Sequence, residues 1–164
     1  MQTISKNLFS RLIDKIAKAV HLDAKKTIAW YSYVLLVIPI AFWLLVELRA
    51  LASNQSWQAM LKQPTIAIGI IITITDFMIG YYLAIRKQEL LKSYESYHFF
   101  MVWQAVSHIL VGNLVGFVLA IIGIHESKSL PAGRRDGSVS LISVVSGLLL
   151  IICFSFIILV NLKG

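Results

Sequence analysis

The chain has 164 residues, 58% hydrophobic and 14% charged, with a net charge of +7 at pH 7. Soluble domains carry ~25% charged and ~45–50% apolar residues, so a soluble globular fold is excluded, and three prolines and nine glycines are too few for a collagen-like or disordered chain. A single cysteine, Cys153, excludes an intramolecular disulfide or a cysteine-built metal centre, and what remains is a one-domain, all-α integral membrane protein.

Residues 1–27 form a basic segment ahead of the apolar runs. Over residues 4–20, Leu8, Phe9, Leu12, Ile13, Ile16 and Val20 fall within about 140° of a helical wheel. Arg11, Lys15 and Lys18 gather within about 60° elsewhere on that wheel. This pattern predicts a peripheral amphipathic helix lying in the membrane interface. Its partners would be the lipid bilayer and anionic lipid headgroups, with Arg11, Lys15, Lys18, Lys25 and Lys26 contributing ~1 kcal/mol each. Docking of the same stripe on another subunit is the competing reading. No nucleic-acid motif accompanies the basic charge, so no nucleic-acid partner is expected.

Crossing a hydrocarbon core of ~30 Å takes ~20 mostly apolar residues in a helix. Four runs qualify, over residues 28–46, 65–85, 99–122 and 139–160. They are continuously apolar rather than alternating, which argues against a β-barrel. The expectation is a transmembrane four-helix bundle over residues 28–164. Ala50, Leu51 and Ala52 resemble a signal-peptide cleavage site, but the long apolar run beside Glu47 and Arg49 predicts a retained helix. The segment 47–64 is expected on the outer surface, through Leu48, Leu51, Trp57, Met60 and Leu61. Asn54, Gln55 and Ser56 match a glycosylation sequon, read here as chance. Trp30, Tyr31, Tyr33, Phe42 and Trp43 flank the first run, Tyr81 and Tyr82 close the second, and Phe99, Phe100 and Trp103 open the third. All read as headgroup-level anchors.

With four spans, Lys6, Arg11, Lys15, Lys18, Lys25, Lys26, Arg86, Lys87, Lys92 and Lys163 share one side. Arg49, Lys62, Lys128, Arg134 and Arg135 fall on the other. The excess predicts both termini inside, in a bacterial cytoplasmic membrane or an organellar inner membrane. The adjacent Arg134 and Arg135 run against that assignment.

Asp76 is the one charge inside a span, where an aspartate costs ~2.5–3.5 kcal/mol near the membrane centre. Gly69, Thr73, Asp76 and Gly80 project within about 60° of one another, a face suited to protein rather than lipid. In a third span running oppositely, His108 would lie within about 2 Å of the depth of Asp76. Gln104, His108, Gly112 and Gly116 would share one stripe of about 120°, so an Asp76–His108 contact is expected. Asn113 would project the opposite way, towards the first or fourth span. Ser140, Ser143, Gly147 and Ser155 predict a small-residue packing face, and Cys153 an apolar filler.

No metalloprotease, serine-elbow, phosphate-loop or dinucleotide motif is present, so no enzyme, cofactor or metal is expected. His98 and His125 would flank opposite ends of the third span, too far apart to share a haem. The expected role is a non-enzymatic interaction, accessory or assembly component of a membrane complex. Its partners would be other membrane subunits or further copies of itself, and its buried polar pair would orient its helices. The alternative is an oligomeric proton- or cation-coupled channel or transporter using Asp76, His108, Gln104 and Thr73.

Overall fold

The computed structural model describes residues 23–163. The amphipathic segment 4–20, with Arg11, Lys15 and Lys18, lies outside the described residues. Every regular element among the described residues is helical. Helix α1 (Ala24–Ser53) starts where Asp23 accepts a hydrogen bond from Lys26 N at 2.7 Å. Lys25 and Lys26 therefore belong to its first turn, and both are exposed. It runs unbroken through Ala50, Leu51 and Ala52 and stops at Asn54, whose φ of 50° is a left-handed cap. Ser56 caps the short α2 (Trp57–Leu61), so the sequon residues Asn54 and Ser56 have local roles as caps. Helix α3 (Pro64–Leu90) begins with proline in its first turn, where the missing N–H costs nothing.

The third expected span is not one helix. Helix α4 (Tyr94–Leu110) ends at Val111, Gly112 takes φ 78°, and α5 (Leu114–Glu126) starts anew under an Asn113 cap. Only glycine enters that backbone region without steric cost. The chain then folds back on itself. A methyl group built on Gly116 would stand 2.5 Å from His108 Cδ2, and one on Gly123 would stand 2.8 Å from Met101 Sδ. His98 Nδ1 lies 3.2 Å from Ser127 Oγ, closing the base of the hairpin. These pairings are antiparallel about Gly112, so α4 and α5 are two arms of a helical hairpin. A 3-10 turn (Ser127–Ser129) follows α5.

The connection 130–136 stays at the base of the hairpin. Tyr94 N donates to Pro131 O at 2.9 Å, Gly133 N to Glu95 Oε2 at 2.7 Å, and Asp136 N to Ser96 Oγ at 2.9 Å. Arg135 lies over the Phe99 ring, 4.2 Å from its centroid. Helix α6 (Gly137–Lys163) starts there, with Asp136 Oδ1 accepting from Ser138 N and Val139 N. The Gly133 N–H holds the Glu95 carboxyl below its ordinary range, and the Val139 N–H does the same for Asp136. Both contacts support the fold above the ordinary carboxylate range and fade as pH falls through the lowered folded-state values.

Helices α1, α4 and α6 begin at one end of the molecule, the starting end, where α3 and α5 finish. The alignments fix this. Tyr97 Oη donates to Ala24 O at 3.1 Å, and Gln104 Nε2 donates to Ser146 Oγ at 3.2 Å. Ser32 Oγ donates to Gly80 O at 2.8 Å, with α1 and α3 antiparallel. The hairpin tip is thus level with about residue 152 of α6, and the remaining turns of α6 continue roughly 16 Å past it at ~1.5 Å per residue. Among the described residues three helices, α1, α3 and α6, are long and apolar enough to cross a membrane; the hairpin arms reach only part-way along them. The main core lies beside the arms, around Tyr31, Leu35, Ile79, Leu83, Phe100, Met101 and Ala120. A smaller cluster of Val46, Ala50, Met60 and Ile66 closes the distal end under α2.

Nothing lies within 4 Å of a methyl group built on Gly112, so a substitution there acts through the backbone alone. Gly112→Ala is expected to destabilise the fold by roughly 1–2 kcal/mol, with Gly112→Asn costing less because asparagine tolerates this region. Unfolding in detergent micelles measures both; an unchanged Gly112→Ala protein would count against the turn.

Candidate functional site

The hairpin tip meets α3 at Asp76. Placing the tip there requires each backbone group released by the turn to find a partner, since unpaired groups away from water are costly. Val111 N, Gly112 N and Asn113 N donate back to Ser107 O, Ile109 O and His108 O, closing α4. Asn113 Oδ1 accepts from Gly116 N at 2.9 Å and so caps α5. Its amide Nδ2 then donates to Asp76 Oδ2 at 3.1 Å, joining the cap to α3. The other carboxylate oxygen, Oδ1, lies 3.3 Å from His108 Nε2. That contact is too poorly aligned to count as a hydrogen bond, and both atoms are buried without another partner.

His108 is held on its other edge. Its Nδ1 lies 2.9 Å from Gln104 O, one helical turn back, and 3.4 Å from Tyr31 Oη. Tyr31 donates to Gln104 Oε1 at 3.4 Å, and Gln104 Nε2 donates to Ser146 Oγ. Ser146 in turn donates to Ile142 O at 2.7 Å. One polar chain therefore joins α1, α3, both hairpin arms and α6. Tyr31, Asp76, Gln104 and His108 have no exposed surface.

Asp76 also forms part of the floor of a cleft of about 470 Å³ beyond the tip. Ile38 and Phe42 of α1, Gly69, Ile72 and Thr73 of α3, and residues 111–115 of the turn line it. Thr73 is buried, and its hydroxyl donates to Ile70 O at 2.9 Å. On the starting side, by contrast, Tyr31, Phe100 and Leu35 pack solidly; Tyr31 and Phe100 meet edge-to-face at 6.3 Å.

Of the residues singled out from sequence, Asp76, His108, Gln104 and Thr73 come together in this region. The α3 stripe faces protein: a methyl group on Gly69 would meet Phe42, and one on Gly80 would meet Leu35 and Leu36. The expected stripe of Gln104, His108, Gly112 and Gly116 dissolves, because Gly112 is in the turn and Gly116 faces His108 from the opposite arm. Asn113 reaches Asp76 rather than the first or last span, since the turn resets the rotation a continuous helix would have imposed. Gly147 faces Trp103 and Ser107, and Ser143 is buried with its hydroxyl on Val139 O. His98 and His125 sit at the same end of the hairpin, not at opposite ends, because the chain reverses between them.

Three participants are not assigned to the site by sequence alone. Tyr31 read as an interfacial anchor, yet α1 begins at Ala24, so Tyr31 is two turns inside and buried. Ser146 was one small residue among several in the last run. Asn113 was visible, but its direction depended on the break. No family model matches the chain, and no curated protein or solved structure matches it significantly.

Removing His108 leaves the buried Asp76 carboxyl without the group that faces it, which costs far more than removing a neutral hydroxyl. His108→Ala is expected to lower stability in detergent by about 3 kcal/mol, and Tyr31→Phe by about 1 kcal/mol. Equal losses in the two variants would mean that His108 and Asp76 do not interact.

Proposed function

We propose that this chain is an integral membrane protein of three spans and one re-entrant hairpin. It acts without catalysis, as an interaction or accessory component of a membrane assembly, in contact with other membrane subunits or with further copies of itself. The observation that carries this reading is the polar chain that fastens the hairpin tip to α3 and, through Gln104, to α1 and α6. Large apolar side chains cover the outward faces of the three long helices, among them Leu44, Leu48, Ile74, Phe77, Leu148 and Phe156. Exposed apolar surface of that extent suits lipid or a membrane partner.

Charge supports the three-span arrangement over the four-span one. With the hairpin returning to its starting side, Lys128, Arg134 and Arg135 join the basic residues of segments 1–27 and 86–92. Only Arg49, Lys62 and Lys163 remain opposite, twelve basic residues against three. The positive-inside rule then puts the starting end in the cytoplasm or matrix and the C-terminal end of α6 across the membrane. The anionic headgroups of the inner leaflet would meet this basic face.

One observation favours a second reading, proton- or cation-coupled transport by an oligomer. The cleft reaches the intramembrane carboxylate of Asp76 beside a broken helix, an arrangement shared with transporter binding sites.

Two experiments test the span number and the role. In a Cys153→Ala background, an impermeant maleimide on intact cells is expected to label Lys62→Cys and Leu162→Cys. Lys92→Cys and Ser129→Cys should react only after permeabilisation. Labelling of Ser129→Cys in intact cells, with Leu162→Cys protected, would restore four spans. In proteoliposomes the accessory reading expects no proton flux from wild type; flux abolished by Asp76→Asn would establish transport instead.

A further inference from the structure

The hydrogen-bond directions around His108 place every polar proton of the cluster but one. Gln104 O can only accept, so the ring nitrogen facing it at 2.9 Å, Nδ1, carries a hydrogen. Tyr31 gives its hydroxyl hydrogen to Gln104 Oε1 and turns a lone pair to the same Nδ1–H. Gln104 Nε2 and Ser146 pass the sequence on to Ile142 O. On the other flank, Asn113 donates to Asp76 Oδ2 and accepts from Gly116 N. What remains is the space between Asp76 Oδ1 and His108 Nε2, 3.3 Å apart and buried.

With Nδ1 protonated, a neutral ring presents Nε2 as a bare acceptor. An ionised Asp76 would present a second acceptor to it and bury an uncompensated negative charge. One proton, carried by either atom, removes both penalties. Whether it resides on nitrogen or on oxygen, the pair is then neutral overall. The groups in contact with the pair are Tyr31 from α1, Asn113 from α5 and, through Gln104, Ser146 from α6, while Thr73 of α3 lines the cleft beside Asp76. Of these only Tyr31 titrates, and its hydrogen is engaged with Gln104.

We propose that Asp76 and His108 form a binding site for a single proton, loaded from the cleft, and that this proton holds the hairpin tip against α3. The cleft touches Asp76 and Asn113, whereas Tyr31, Phe100 and Leu35 fill the opposite approach. Loss of the proton leaves two facing acceptors that only hydration can relieve, and water arrives where the cleft already opens. The tip then loosens towards the cleft. This site rests on the re-entrant reading, but the maleimide labelling that tests topology is blind to ring protonation, so either can fail alone.

The test is nitrogen-15 NMR of histidine-labelled protein in lipid nanodiscs, with His108 assigned by the signal that His108→Gln removes. The expected ring keeps a proton on Nδ1 throughout, and its Nε2 environment changes in one step as pH rises. In Asp76→Asn that step should vanish, because an amide can supply the donor without a bound proton. A ring protonated only on Nε2, or a titration indifferent to Asp76→Asn, overturns the proposal. Should that variant fail to fold, the wild-type tautomer decides: a proton on Nδ1 supports the site, and a bare Nδ1 refutes it. For the loading side, a bulky maleimide on Val115→Cys, which lines the cleft, should slow deuterium exchange at the site several-fold. The same label on Leu141→Cys, outside the cleft, is the comparison; equal exchange rates overturn loading from the cleft.

Discussion

A chain that reverses direction among apolar helices must satisfy, within a few residues, every backbone group the reversal exposes. Here the burden falls on Gly112 and Asn113. Gly112 supplies the left-handed backbone, and Asn113 answers two demands with one amide, capping α5 through its oxygen and binding Asp76 through its nitrogen. The carboxylate of Asp76 is thereby tied to the reversal, while His108, in the last turn of α4, approaches its other oxygen. A helix cap, a buried carboxylate and an imidazole form a single construction. Unpaired, each would be costly in a nonpolar setting.

Close approach of the arms follows from the same turn. Because the reversal centres on Gly112, Gly116 is brought over His108 and Gly123 over Met101, where a side chain would collide. Farther out, Gly147 lets α6 settle against Trp103 and Ser107. These glycines sit on two helices, α5 and α6, and each clears room for a side chain of α4. Helix α4 is therefore the element on which α5 and α6 close. Its polar face, Gln104 and His108, carries the links to α1, α3 and α6.

Much of this was legible in the residues. Asp76 stood out as a charge in an apolar run, and the small residues spaced around it marked the face of α3 that meets protein. The long helices α1, α3 and α6 follow from uninterrupted hydropathy. Hydropathy fails for residues 99–122 because it registers burial away from water and says nothing about direction. An apolar stretch that crosses and one that returns have the same composition. The local signal was Gly112 followed by Asn113, a residue free to take positive φ ahead of a favoured N-cap, outweighed there by its apolar flanks. Tyr31 differs for a related reason: its distance from the surface depends on where α1 starts, which Asp23 decides five residues before the apolar run begins.

A second signal was present in the charges. Counting four spans stranded Arg134 and Arg135 on the wrong side, and such a conflict has two resolutions: the orientation is wrong, or the number of crossings is. Reversing the orientation would only move the conflict to the larger basic set. Removing one crossing moves Lys128, Arg134 and Arg135 together and leaves the rest of that set in place, apart from Lys163. Arg135 stacked on Phe99, and Gly133 and Asp136 bonded to Glu95 and Ser96, put that segment physically beside the start of α4. Charge distribution and hairpin geometry are independent constraints, one electrostatic and one steric. Their agreement on the same segment is what makes the proposed three-span arrangement preferable to a bundle of four.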